Sequence, residues 1–229
     1  MRNFLKQEEF IYQTRDEINN LLTGTVSIAS YFSIATHWLP ELILEFKKMH
    51  PGVNVQVTEG VYQEVIEQLN NKTADIGFAT NHLKDGEYDW YPLYDDAMVA
   101  IVSQNHAFVN DGVYPIHQFE KEDVIVPVGG KDIDILLMLE ESGVKPKITY
   151  ITKENFSALK MAEIGLGTTL MNELILKDFR SNAVYLPIDP PQYITLGLLL
   201  PSYKEASPAT KAFVKFAIEK LTQKNCSNT

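Results

Sequence analysis

Cysteine is nearly missing from the chain. Cys226, in the polar tail Lys224-Asn225-Cys226-Ser227, is the one cysteine in 229 residues, so no disulfide can close within the chain. This excludes a disulfide scaffold and fits a reducing compartment. Positive charge is also short: 20 Lys+Arg stand against 30 Asp+Glu, a formal net charge of −10. Such a surface repels phosphate, which argues against this stretch gripping DNA or an anionic membrane by itself. The lone basic doublet, Lys47–Lys48, is too short to reverse that. No apolar run approaches the roughly 20 residues that span a bilayer. The start, Met1-Arg2-Asn3-Phe4-Leu5-Lys6, lacks the apolar core of a signal peptide. A cytoplasmic protein with no membrane partner is expected.

Reactive constellations are absent as well. The five histidines (His37, His50, His82, His106, His117) show none of the close pairings of a metal site. Ser157-Ala158-Leu159-Lys160 matches a Ser-x-x-Lys nucleophile pattern, but its companion Ser-Asp-Asn and Lys-Thr-Gly motifs are missing. Neither a Gly-x-Ser-x-Gly elbow nor a phosphate-binding loop occurs, and Gly165-Leu166-Gly167 lacks the third glycine of a dinucleotide fingerprint. The acidic pairs Glu8–Glu9, Asp95–Asp96 and Glu140–Glu141 are adjacent and read as solvated surface. No enzyme, metal or cofactor is expected.

What remains is an ordinary globular composition, 45% hydrophobic and 22% charged, long enough for one large domain or two small lobes. Met1 to Asn20 carries Phe4, Ile11 and Ile18 at seven-residue spacing. That stripe suits either a helix packed on its own domain or the end of a longer helix paired with another chain. From Gly24 the register changes. Thr25-Val26-Ser27-Ile28-Ala29-Ser30 alternates as a strand, and Leu39, Leu42, Ile43, Phe46 and Met49 form a helical stripe ended by His50-Pro51-Gly52. Val53–Thr58 is a second strand, a helix carries Val65, Ile66 and Leu69, and Asp75–Ala79 is a short buried strand. Alternation of this kind predicts a largely parallel sheet. The same grammar continues with strands at Ala97–Ser103, Asp123–Val128, Lys147–Thr152 and Ile194–Leu200. Helices are expected at Ile133–Glu141 and from Phe156 to near Gly165, and Ser207–Pro208 opens a last helix with the stripe Ala209, Ala212, Phe213, Phe216, Ala217 and Leu221.

Three strand ends run into helix starts through small or polar residues: Ser30-Tyr31-Phe32-Ser33, Thr58-Glu59-Gly60-Val61-Tyr62 and Thr152-Lys153-Glu154-Asn155. At the carboxyl edge of a parallel sheet, helix N-termini favour an anion or carboxylate. Tyr31, Phe32 and Tyr62 offer an apolar wall, Ser30 and Ser33 hydroxyls, and Lys131 or Lys153 charge. Helix capping by the serines and core packing by the aromatics are the plainer readings of the same residues.

The ordered series Gly24-Thr25-Val26-Ser27-Ile28-Ala29, Trp38-Leu39-Pro40, Phe46, His50-Pro51-Gly52-Val53-Asn54-Val55, Glu59–Gly60, Asp75-Ile76-Gly77-Phe78 and the late Gly165-Leu166-Gly167 resembles the effector-binding domain of LysR-type transcriptional regulators. The likeness runs from about Leu21 to Leu221. It implies an α/β, two-lobed periplasmic-binding-protein-like (type II) fold with two crossing strands, here Met98–Ser103 and Ile194–Leu200. Residues 1–22 would be the remnant of a linker helix, 23–97 plus 201–229 lobe I, and 98–200 lobe II with the crossing strands. It further implies a small-molecule effector in the interlobe cleft, touching Ser30, Tyr31, Phe32, Ser33, Gly60, Val61, Tyr62, Val128, Gly129, Gly130, Thr152, Lys153 and Asn155. A homodimer or higher homo-oligomer is implied too, with DNA reached only through a winged helix-turn-helix that the chain as read does not carry. A solute-binding protein of a transport system shares the fold and is the alternative; a lyase-type enzyme on that fold would need a reactive cluster the sequence does not show.

Overall fold

The computed structural model describes residues 22–83, 86–177 and 179–226. The heptad stripe of Met1–Asn20 lies outside them. The chain divides into two compact units, Met1–Tyr94 with Thr195–Thr229, and Asp95–Ile194.

The first unit is built on β1 (Gly24–Ser30), whose Val26 and Ile28 are buried by the alternation seen in the sequence. A short helix α1 (Phe32–His37) leads into α2 (Leu39–Met49). Three- and four-residue spacing puts Leu39, Leu42 and Phe46 on the buried face of α2. Strand β2 (Val53–Glu59) pairs parallel to β1 from Gly24↔Val53 to Ser30↔Glu59. Helix α3 (Tyr62–Asn70) buries Tyr62, Val65 and Leu69, and the wholly buried β3 (Ile76–Ala79) pairs parallel on the other side of β1. Strand β4 (Asp89–Val102) carries the chain out of this unit.

In the second unit the far half of β4 pairs antiparallel with β8 (Thr169–Asn172), an element the sequence reading did not anticipate. The two-residue β5 (Tyr114–Pro115), also unanticipated, pairs parallel with β9 (Val184–Leu200) at Ile188 and Asp189. Strands β6 (Val124–Val126) and β7 (Ile148–Ile151) pair parallel around α4 (Ile133–Glu141). Helix α5 (Asn155–Glu163) and the single turn α6 (Glu173–Leu176) close a core of Val99, Ile101, Ile125, Leu159, Met171 and Ile175. The Ser157/Lys160 pair is no nucleophile site: Lys160 donates to Glu163 at 2.7 Å and lies over the Phe156 ring, while Ser157 is exposed. Lys160, with Ser181, holds the Glu163 carboxyl down to about 2 by favouring its charged form.

The end of β9 returns to the first unit, where Gly77↔Leu199 to Ala79↔Gly197 pair antiparallel with β3. A side chain at Gly197 would overlap the Trp90 ring and the Tyr91 carbonyl on β4. Helix α7 (Pro208–Cys226) follows; its Ser207 cap accepts from the Thr210 N–H at 3.1 Å. Phe213 of α7 meets Phe46 of α2 edge-to-face, ring centres 5.0 Å apart and both rings fully buried.

The sheets are therefore mixed. The predicted parallel order holds for β2-β1-β3 and β6-β7, and antiparallel strands complete it. The chain passes from one unit to the other inside β4, between Tyr94 and Asp95, and inside β9, between Ile194 and Thr195.

Candidate functional site

In the first unit, β1, β2 and β3 run parallel, so the segments after them lie at one edge. The Ser30 carbonyl accepts from the Gly60 N–H at 3.0 Å and the Phe78 carbonyl from the Tyr31 N–H at 2.9 Å, which fixes the three strand ends together. Ser30 is fully buried, and its hydroxyl donates to the Tyr31 carbonyl at 3.0 Å. That hydroxyl is therefore turned into its own loop and caps no helix. Ser33, on the buried face of α1, is 3% exposed. Phe32 stands 44% exposed at the start of α1.

A line of polar groups crosses this edge. The Tyr31 hydroxyl lies 2.9 Å from Thr80 Oγ1, which lies 3.0 Å from His82 Nε2. The His82 N–H donates to the Tyr62 hydroxyl at 3.2 Å, and the two rings meet edge-to-face at 5.0 Å. Thr80 is buried, so its hydroxyl needs these partners. Tyr31 and Tyr62 belonged to the expected site; Thr80 and His82 did not. They follow β3 as Ser30–Ser33 follow β1, and that shared placement at a strand end is the signal that points to them.

At Gly60-Val61-Tyr62 the start of α3 is already met by a carboxylate. Glu64 folds back so that Oε2 accepts from the Val61 N–H at 3.0 Å. A Cβ on residue 60 would sit 2.9 Å from that oxygen and 3.0 Å from Glu64 Cβ, so glycine is what leaves the side chain its place. Valine has no acceptor to offer in return, and the cap is one-sided.

In the second unit Val128, Gly129 and Gly130 follow β6 with φ of 57°, 64° and 74°. Left-handed backbone is ordinary for glycine but costs a β-branched valine on the order of 1–3 kcal/mol. It is held by the Val128 N–H on the Lys153 carbonyl (3.2 Å) and the Gly129 N–H on the Thr152 carbonyl (2.7 Å). The structure thus brings together Val128–Gly130 and Thr152–Lys153, distant in sequence. Thr152 Oγ1 donates to the Glu154 carbonyl at 3.0 Å, and Asn155 opens α5 with no side-chain cap. Lys153 is 93% exposed, 3.8 Å from Glu154, and Lys131 is exposed beside Gly130.

Elsewhere in the second unit Glu122 Oε2 accepts from Tyr114 (2.9 Å), His106 Nε2 (3.0 Å) and Thr168 (3.1 Å). Burial first, then the Glu122 charge, raises the Tyr114 phenol above its ordinary value. No grouping of three His, Cys, Asp or Glu that would hold a metal occurs among the described residues.

The LysR substrate binding domain family model matches residues 19–222. The HTH-type transcriptional regulator YvbU of Bacillus subtilis is 26% identical over 221 residues, covering 96% of this chain and 75% of that protein. The transcriptional dual regulator GltC of the same organism is 25% identical over 228 residues, with the same two coverages. Among solved structures, the effector binding domain of QuiR in complex with shikimate aligns with TM-score 0.76 at 20% identity, over 88% of this chain and 98% of that one. Full-length BenM aligns with TM-score 0.77 at 17% identity, over 99% of this chain and 78% of its own.

Proposed function

The chain belongs to the LysR substrate-binding domain family, and we propose that its strand-end loops sense a small carboxylate and that it works as a homodimer. Its relatives are transcriptional regulators, so it is a regulatory domain, neither an enzyme nor a transport solute-binding protein. The observation that carries effector binding is the first unit's edge: three strand ends tied together by backbone hydrogen bonds and crossed by the Tyr31–Thr80–His82 line. The bound shikimate of QuiR supports a small organic acid as the ligand class. Within the second unit, exposed Lys131 and Lys153 and the uncapped start of α5 supply the positive partners for an acid group. DNA contact is assigned to a helix-turn-helix such as the relatives' names carry, and the location to the cytoplasm. Among the described residues no helix is long and apolar enough to cross a membrane.

A thermal-shift screen against organic acids, amino acids and aromatic carboxylates tests this. A ligand at about 100 times its dissociation constant stabilises the fold by roughly 2.7 kcal/mol. A hit whose affinity is unchanged when Ser30 and Ser33 are both replaced by alanine would remove the first unit's edge from the site. Sedimentation showing only monomer at high concentration would remove the dimer.

A further inference from the structure

We infer that the turn Val128–Gly130 is a two-state element built into the second unit: Val128 is held in a left-handed conformation that the chain can shed locally, and shedding it loosens the approaches to α4 and α5 together. The inference stands on the second unit's own backbone and does not depend on which ligand the domain senses.

Three consecutive residues take positive φ here, 57° at Val128, 64° at Gly129 and 74° at Gly130. The two glycines adopt either hand freely, whereas a β-branched side chain is strained there. Glycine at all three places would make the same turn without strain, so valine leaves its first residue poised rather than settled. Two hydrogen bonds to the segment after β7 oppose the strain. The Val128 N–H reaches the Lys153 carbonyl at 3.2 Å, the long end of the usual range, and the Gly129 N–H reaches the Thr152 carbonyl at 2.7 Å. The net contribution of a hydrogen bond in water is of the same order as such strain, so the two forms lie close in free energy.

The surroundings let a reversal stay local. Before the turn, Val124, Ile125 and Val126 are fully buried, and the Thr152 N–H donates to the Val126 carbonyl at 3.0 Å, so β6 and β7 stay joined. After it, Asp132 caps α4 with its own carboxylate, which accepts from the Ile135 N–H at 3.2 Å. A Cβ at Gly129 would meet nothing within 4 Å, and Lys153 is almost fully exposed. The obstacle is Ile151: a Cβ at Gly130 would lie 3.0 Å from it, so this side chain at the end of β7 moves with the turn. All four N–H groups from Val128 to Lys131 are used within the protein, the last two on the Pro127 and Val128 carbonyls. Reversing Val128 therefore frees donors at the approach to α4. It also frees the Thr152 and Lys153 carbonyls at the approach to α5, where Thr152 Oγ1 donates to the Glu154 carbonyl. An effector that favours one of the two forms then has an existing equilibrium to shift.

The test is amide hydrogen exchange followed by NMR on the full chain and on Val128→Gly, Val128→Ala and Val128→Thr, since exchange reads the population of the open form. In the wild type the Val128 and Gly129 amides should be less protected than the neighbouring Thr152 amide, whose bond to Val126 stays closed. V128G removes the strain, so protection of Gly129 should rise roughly fivefold or more. V128A should fall between the two, and V128T, β-branched like valine, should exchange as the wild type does. Val128 and Gly129 amides as protected as Thr152 in the wild type would show a locked turn and overturn the inference. Equal protection of Gly129 in the wild type, V128G and V128A would overturn it too, because the opening would then owe nothing to the strain at Val128.

Discussion

Asn172 donates its side-chain amide to the carboxylate of Asp96 across 2.6 Å, joining β8 to β4 inside the second unit. Asp96, expected with Asp95 on the solvated surface, is instead fully buried and also accepts from the Leu174 N–H at 3.1 Å, at the start of α6. Burial raises its carboxyl to about 6, and these two hydrogen bonds only partly offset that. The folded state therefore holds a proton on Asp96 that the unfolded chain has released at the same pH. Its contribution is fully present below the ordinary value of 3.8 and fades as pH rises through about 6. Relative to Asp96→Asn, wild-type stability should fall by up to about 3 kcal/mol between pH 4 and pH 7. Urea unfolding of both proteins at each pH reads this difference; a constant difference would reject it.

Glu122 is the shared acceptor for Tyr114, His106 and Thr168, and the Tyr114 side chain is fully buried. Glu122→Ala strands that phenol and is expected to cost about 1–3 kcal/mol. Glu122→Gln keeps an acceptor and should cost less. Thermal melts of the pair give the ranking, and an equal loss in both would show that charge, not the acceptor, matters.

Gly197 on β9 faces Trp90 on β4 with no room for a methyl group. Gly197→Ala should destabilise by about 1–3 kcal/mol through overpacking, measured as a lower urea midpoint. A neutral substitution would mean that the Trp90 ring moves aside freely.

The Tyr31–Thr80 contact joins two strand ends through side chains alone. Tyr31→Phe removes the bond at a cost of about 0.5–1.5 kcal/mol, and any ligand found by thermal shift should lose affinity in the same variant. Stability loss with unchanged affinity would confine Tyr31 to a structural role.

Local pattern was readable where burial repeats with a helix or strand period. Leu39, Leu42 and Phe46 announced α2, and the alternation of Gly24–Ser30 announced β1, because each buries one face. A helix start was expected at Ser30–Ser33, but that α1 ends at His37 as a separate helix escaped, because Phe32–His37 is too short for a stripe and buries only Ser33 and Ile34. Strands β4 and β9 were expected from Ala97 and Ile194, yet begin at Asp89 and Val184. Pro92 stands in the first extension, and Pro187, Pro190 and Pro191 in the second; proline is disfavoured inside a strand but tolerated where no ladder bond is needed.

The site was legible in part for the same reason. Ser30–Ser33 and Gly60–Tyr62 could be found as strand ends, but the pairing of Tyr31 with Thr80 spans 49 residues and has no local spacing to betray it. Glu64 stayed hidden because Val61 lacks the oxygen that would announce a capping box. Only the folded turn at Gly60 brings its carboxylate back onto the Val61 N–H.

The second unit is one unbroken stretch, whereas the first is interrupted and finished only by Thr195–Thr229. On the ribosome, every residue of the second unit is made before the strand that closes β3 or the helix that brings Phe213 to Phe46 exists. Until then β3 keeps an open edge and Phe46 an uncovered ring, the state in which a nascent sheet is most prone to mispair with a neighbour. Translation arrested before Thr195 should therefore release a protease-resistant second unit attached to a digestible first one, so that completion of the chain, rather than its first half, decides when the sensor's amino-terminal strands become safe.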